Sequence, residues 1–260
     1  IWNNDHVPAI LQADPKAEHF HYVSTHFSAL ERKMNKQGCC WFVPVQFREN
    51  PKLCAENVDG GIDVAMLQVG PMDRWGNFNL GPQIAEYWGI FSKAKTIIVE
   101  VNEKMPINHG YENVINLSQV TYVVEGSNEP INAFDPQPAG EVEKQIARNI
   151  FPYIRSGSTL QLGIGGIPST IGSMLAESDV DDLSVHTEMF VDSYLKLYEA
   201  GKISGNKNID RGKMVYTFAS GSKALHDFID DNPITWCAPV DYVNDLHTIG
   251  SIDRMVSINS

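Results

Sequence analysis

The apolar positions fall into short runs separated by helix-spaced patterns. Ile62-Asp-Val-Ala-Met-Leu-Gln-Val69 and Thr96-Ile-Ile-Val-Glu-Val101 are nearly continuous apolar stretches of strand length, the signature of parallel strands buried on both faces. Trp41-Phe-Val-Pro-Val-Gln-Phe47, Val120-Thr-Tyr-Val-Val-Glu125, Ser158-Thr-Leu-Gln-Leu162, the short Leu183-Ser-Val185 and Met214-Val-Tyr-Thr-Phe218 read as further strands. Met255-Val-Ser-Ile-Asn-Ser260 alternates and reads as an unfinished one. Between them, residues 83–93, 170–176, 189–200 and 224–229 read as helices, the third ended by Gly201. Residues 141–155 carry Val142, Ile146, Ile150 and Ile154 at four-residue steps, an amphipathic helix. Residues 1–40 are weakly patterned, and residues 70–82 form a loop dense in turn residues. Strands alternating with helices predict an α/β fold with mostly parallel sheets. The stretch 128–140, with prolines at 130, 136 and 138, is the best linker, so the chain divides into domains at 1–135 and 136–260.

Charge narrows the partners. Twenty Lys and Arg against 32 Asp and Glu leave a net charge of −12, which repels nucleic acid and anionic membrane surfaces. No uninterrupted run of 18 apolar residues exists, so no transmembrane helix is expected. Cysteines 39, 40, 54 and 237 fit no zinc spacing and read as reduced thiols of a cytoplasmic protein. His19, His21 and His26 are close enough in sequence to raise a metal cluster, but an aromatic-rich surface loop accounts for them, and no metal is expected.

Two segments carry candidate chemistry. In Leu160-Gln-Leu-Gly-Ile-Gly-Gly-Ile-Pro168 a strand runs through Gly163, Ile164, Gly165, Gly166 and Ile167 into a helix. Glycines admit a ligand to the backbone, and a helix N-terminus attracts an anion. Pro168 stands where a dinucleotide fingerprint has its third glycine, which leaves two readings: an anion-binding loop or a tight strand-to-helix turn. The second segment is Val185-His-Thr-Glu-Met189, with Glu188 just past a short strand and at the start of a helix. Ligands of open α/β sheets sit at the carboxyl ends of strands. One βαβ crossover separates the two segments, so adjacent parallel strands would bring Glu188 and the glycine loop to one rim. The competing role for Glu188 is an acid stabilised by a helix dipole. His186 reads as a packed polar residue or as an orienter of Glu188.

These residues also carry a resemblance. Gln161-Leu-Gly-Ile-Gly-Gly-Ile-Pro168, His186-Thr-Glu-Met189 and Leu197-Tyr-Glu-Ala-Gly201 resemble the acetyl-CoA hydrolase/transferase family. Asn102, Met105-Pro106, Arg211-Gly-Lys-Met214, Thr217-Phe218, Asn232-Pro233, Pro239-Val-Asp-Tyr-Val-Asn244 and Met255-Val-Ser-Ile-Asn259 extend the match from about Phe42 onward. The resemblance implies two related α/β domains of the NagB/RpiA/CoA-transferase-like type with the active site between them. It implies a homo-oligomer that moves coenzyme A between short-chain acids of the acetate, butyrate and 4-hydroxybutyrate type. Acyl-CoA and a short-chain carboxylate are then substrates, and no cofactor is permanently bound. Glu188 aligns with the nucleophile that becomes a glutamyl-CoA thioester, and Gly163, Ile164, Gly165, Gly166 and Ile167 with a CoA-contacting segment.

Met72, in Val69-Gly-Pro-Met-Asp73, departs from the family's second proline there, which bears on acyl specificity. The family extends beyond both ends of this chain, and a later glycine-rich segment would follow Ser260. A 260-residue piece is therefore expected to turn over poorly alone. The rival readings are an acyl-CoA hydrolase on the same scaffold, a non-catalytic nucleotide-binding module and a nicotinamide dehydrogenase, the last opposed by the broken fingerprint.

Overall fold

The structure, a computed structural model, describes residues 9–56, 61–133 and 138–259. The chain forms two compact units that divide after Glu49. The first holds α1 (Ala9–Ala13), β1 (Tyr22–Ser24), α2 (Ala29–Lys36) and β2 (Cys40–Phe42), with β1 and β2 paired in parallel. Ser28 caps α2 and Glu31 closes the capping box, which explains a defined helix in a stretch of weak apolar pattern. The strand expected over 41–47 ends at Phe42, ahead of Pro44, which has no N–H for a ladder.

The second unit begins with α3 (Asn50–Glu56), β3 (Ile62–Val69), β4 (Asn77–Asn79), α4 (Tyr87–Phe91), β5 (Ala94–Val101), β6 (Val114–Asn116) and β7 (Tyr122–Glu125). Strands β3, β5 and β7 form a parallel sheet in that order, and β4 pairs with β6 antiparallel within the stretch expected to be loop. Continuous apolar runs suggested burial on both faces. Among the described residues only one face is covered: Ala65, Val69, Ile97 and Val99 are buried, whereas Val64, Met66, Tyr122 and Val124 are exposed. The helix expected over 83–93 shortens to α4 because Pro82–Ile84 is drawn into backbone pairing with a later strand.

The rest comprises α5 (Glu141–Ile150), β8 (Thr159–Leu162), α6 (Gly166–Ala176), β9 (Ser184–Phe190), α7 (Asp192–Glu199), β10 (Met214–Ala219), α8 (Lys223–Ile229), β11 (Thr235–Cys237), α9 (Val240–Val243), α10 (Leu246–Ser251) and β12 (Met255–Ile258). Their five strands form one parallel sheet, ordered β11-β10-β9-β8-β12. Residues 128–133 and 138–140 have no regular structure and lie within the second unit, and 134–137 lie outside the described residues. Helix α5 ends at Ile150, short of the predicted 155, and the four-residue stripe holds only in its second half: Ile150 packs on the core and Ile154, past the helix end, is buried, while Val142 and Ile146 are exposed and Ala147 is buried. The main core lies between this sheet and α6, α7 and α8. It contains Leu160, Leu162, Ile171, Leu175, Val185, Phe190, Tyr194, Leu197, Tyr216 and Leu225, each worth about 1.5–3 kcal/mol on burial.

Strand β10 joins the halves of this unit. Ile84 N–H donates to Thr217 O (3.1 Å) and Ala219 N–H to Pro82 O (2.8 Å). Next to it, Cys237 N–H donates to His109 O (2.8 Å) and Tyr111 N–H to Cys237 O (2.9 Å), so 109–111 runs along the β11 edge. The approach is so close that a Cβ on Gly110 would overlap the Cys237 carbonyl. Tyr216 Oη donates to the buried Asn108 Oδ1 (2.7 Å) and completes the seam. Gly110→Ala is therefore expected to cost at least about 2 kcal/mol, because backbone rather than a flexible side chain must move. Urea denaturation monitored by tryptophan fluorescence measures it.

Candidate active site

Glu188 does not begin a helix. It lies inside β9, which runs to Phe190 because β10 is long enough to pair it throughout, from Val215 opposite His186 to Ala219 opposite Phe190. Cross-strand pairing here overrides the helical pattern of Met189 and its neighbours. The helix-start acid is Asp192 at the head of α7, whose carboxylate accepts the Ser222 N–H (3.1 Å) and hydroxyl. The dipole-stabilised role for Glu188 is thereby removed.

The two strands that carry the glycine loop and Glu188 are neighbours, as their crossover spacing predicts. Strands β8 and β9 are adjacent and parallel, with Leu160 opposite Val185, and Gly163–Ile167 follows directly on β8. Beyond Leu160 the two strands part. Leu162 N–H donates to Tyr194 Oη (2.5 Å), and Thr187 Oγ1 donates to the Met189 carbonyl (2.9 Å). Burial pushes the Tyr194 phenol up, so its hydroxyl stays protonated.

Helix α6 starts at Gly166, earlier than expected, and Pro168 falls in its first turn, where a missing N–H costs no bond. Gly165 caps the helix at φ 112°, a conformation open mainly to glycine. At the other two glycines an added side chain would overlap only the ends of flexible side chains. A Cβ on Gly163 would strike the Asn259 side chain, and one on Gly166 the Glu143 carboxylate. That carboxylate also accepts the Gly140 N–H (2.6 Å) at the head of α5. Backbone conformation thus requires glycine at 165, and Ile164 beside it is 54% exposed.

Asn244 is the residue that sequence reasoning did not single out. Its Nδ2 donates to Glu188 Oε2 at 2.5 Å from the end of α9. The motif 239–244 was quoted in the resemblance, but 56 positions separate Asn244 from Glu188, and only α9 folding back over the sheet joins them. His186, almost wholly buried two residues before Glu188, has Nε2 2.8 Å from Val243 O. Burial holds this imidazole below its ordinary value against the opposing Val243 hydrogen bond, with the Lys207 charge adding to the effect and Asp210 opposing it. Tyr242 of α9 donates its hydroxyl to Asp210 Oδ2 (2.7 Å), and Tyr111 donates to Asp210 Oδ1 (3.0 Å). Among the described residues, no group of three or more His, Cys, Asp or Glu side chains could hold a metal ion, and no helix is long and apolar enough to cross a membrane.

The Asn244-held carboxylate of Glu188 thus lies toward the carboxyl end of a strand in a parallel sheet, the side on which open α/β sheets bind ligands. Comparison with known proteins gives the family. The acetyl-CoA hydrolase/transferase N-terminal domain model matches residues 7–135, and the C-terminal domain model matches 221–260. Butyryl-CoA:acetate CoA-transferase of Anaerostipes caccae is 44% identical over 254 residues, covering 96% of this chain and 57% of that protein. The 4-hydroxybutyrate coenzyme A transferase of Clostridium kluyveri is 36% identical, covering 93% of this chain and 56% of its own. Among solved structures, RipA from Yersinia pestis superimposes with a TM-score of 0.85 at 34% identity, covering 92% of this chain and 56% of that one. The chain belongs to the acetyl-CoA hydrolase/transferase family, and it spans just over half the length of the curated relatives it matches.

The buried His186 makes stability depend on pH. Its folded pKa lies below the unfolded value near 6.5, so the unfolded chain binds a proton more readily. This contribution is present above about pH 6.5 and is lost as the pH falls through the folded value. His186→Gln is expected to flatten the fall in denaturation midpoint below pH 6.5. Paired urea titrations between pH 7.5 and 5 measure the difference.

Proposed function

We propose that the protein containing this chain is an acyl-CoA:carboxylate CoA-transferase for short-chain acids, with Glu188 as its covalent relay. The observation that carries this reading is the Glu188 carboxylate on the rim of the parallel sheet, oriented through Oε2 by the Asn244 amide. The identities of 44% and 36% to proteins named for butyryl and 4-hydroxybutyrate transfer support the substrate class.

The chemistry follows from the carboxylate. An oxygen of Glu188 attacks the thioester carbonyl, the C–S bond breaks, and coenzyme A leaves as thiolate, giving an acyl-glutamyl anhydride. The thiolate then attacks the glutamyl carbonyl carbon and expels the first carboxylate, leaving a glutamyl-CoA thioester. A second carboxylate attacks that thioester, and the two steps run in reverse to release the new acyl-CoA and free Glu188. No net proton or water is consumed, and a hydrolase would differ only in letting water discharge the thioester. Asn244 keeps the carboxylate in one orientation, which lowers the cost of reaching the attack geometry. The loop 163–167 is the segment assigned to coenzyme A, with the exposed Ile164 offering the pantetheine arm an apolar contact.

Glu188→Gln keeps the size and removes the nucleophile. Wild-type full-length protein mixed with acyl-CoA and no acceptor is expected to gain the mass of coenzyme A less one water at the Glu188 peptide, read by mass spectrometry. The Gln variant gains nothing, and its transfer rate falls by about three orders of magnitude or more. A freshly purified Gln variant, free of deamidation, that kept a tenth of wild-type transfer would exclude the covalent role. Free coenzyme A released faster than it is transferred to added acetate or butyrate would assign a hydrolase instead.

Gly165→Val forces a β-branched residue to φ 112° and is expected to destabilise α6 by about 1–3 kcal/mol. In the folded variant, the apparent affinity for coenzyme A is expected to fall at least about tenfold, as a side chain intrudes on the ligand's approach. Unchanged affinity in a calorimetric titration would make the loop structural only.

A further inference from the structure

We infer that His186 is a positioning residue that sets the Asn244 amide against Glu188 through the Val243 carbonyl. The inference rests on the covalent role proposed for Glu188 and adds a residue to that machinery. His186 and Glu188 are two apart on β9, so their side chains leave the same face of the sheet. Over that face lies α9, four residues long, with Asn244 closing it by an N–H to Val240 O bond of 2.9 Å. A helix of one turn has almost no stability of its own, and its last carbonyls have no intrahelical partner. Three consecutive residues at its end are instead tied to the frame. Tyr242 is held at Asp210 (2.7 Å), the Val243 carbonyl at His186 Nε2 (2.8 Å), and Asn244 at Glu188 (2.5 Å). The middle tie is the one whose anchor shares a strand with Glu188.

The geometry fixes the tautomer. Facing the Val243 carbonyl, Nε2 must carry the proton, and Nδ1 is buried without a hydrogen-bond partner. Burial outweighs the Val243 hydrogen bond and, with the Lys207 ammonium, keeps the imidazole toward its neutral form against the pull of Asp210. Val240 and Val243 are buried at 0% and 1% exposure, so α9 stays docked if the tie is cut. What is then lost is the carbonyl anchor of the 243–244 peptide, which leaves its N–H bond to Val240 O to direct it, and with that the aim of the Asn244 side chain loosens. A misplacement of about 1 Å at a reacting group can cost a hundredfold in rate.

The test compares His186→Leu, which keeps volume but has no donor, with His186→Gln, whose amide N–H reaches toward the same carbonyl. Two readouts are taken on full-length protein: the Asn244 Nδ2 to Glu188 Oε2 separation by crystallography, and kcat and KM for transfer from acyl-CoA. In His186→Leu the separation is expected to open beyond hydrogen-bond reach, and kcat to fall about tenfold to a hundredfold with KM for acyl-CoA changed less than about threefold. His186→Gln is expected to restore the contact and most of kcat. If the Leu variant does not fold, His186→Asn, polar but too short to reach Val243, takes its place. A Leu or Asn variant that keeps the Asn244–Glu188 bond overturns the inference. So does a folded Gln variant as impaired as the Leu variant. Should wild-type protein show no transfer and no adduct, the transferase reading fails, and the crystallographic separation alone still decides the positioning role.

Discussion

Strand β10 is the element on which the second unit depends. It pairs with β9 on one side and, along the other, with β11 over its first half and with Pro82–Ile84 over its second. Residues 214–218 are all nearly inaccessible. A six-residue strand thereby fixes two registers on which the proposed chemistry rests. It holds β9 extended through Glu188, and it holds the 82–84 segment against the same sheet. Losing β10 pairing would release the carboxylate and the seam together.

The rim built on this constraint has a division of labour. Rigid strands supply Glu188 and His186, and a single turn of helix supplies the amide that aims the carboxylate. The turn is too short to hold itself, so its orientation comes from side chains of other segments, Asp210 and His186. Nearby glycines serve shape. One has a left-handed backbone, and two make room for Glu143 and Asn259. A glycine-rich turn therefore does not by itself announce a ligand. What makes this one a candidate is its place beside Glu188 on the same sheet edge.

Much of this was legible in the residues. The strands at 62–69 and 214–218, the parallel α/β class and the adjacency of the strands that carry the glycine loop and Glu188 followed from apolar runs and crossover length. Local pattern failed where partners distant in sequence decided the outcome. Met189 and Phe190 look helical in isolation, and only β10 makes them strand. Residues 83–86 look helical until Thr217 and Ala219 claim the backbone of 82–84. Val142 and Ile146 obey a helical period yet are exposed, because in the first turns of α5 Ala147 is the residue that meets the core, and the predicted stripe reaches it only from Ile150 on. Asn244 was invisible as a site residue for the same reason: its significance lies in a contact spanning 56 positions, and no local spacing encodes that.

The run of His109 to Tyr111 along β11 has a consequence for the molecule among its neighbours. An outermost strand normally presents open amides and carbonyls to any extended chain that drifts past, an invitation to unwanted association. Here both the N–H and the C=O of Cys237 are already taken by 109–111, and the Gly110 backbone lies too close to admit anything between. The segment acts as a permanent selvage, finishing the sheet on that side so that it cannot unravel into another.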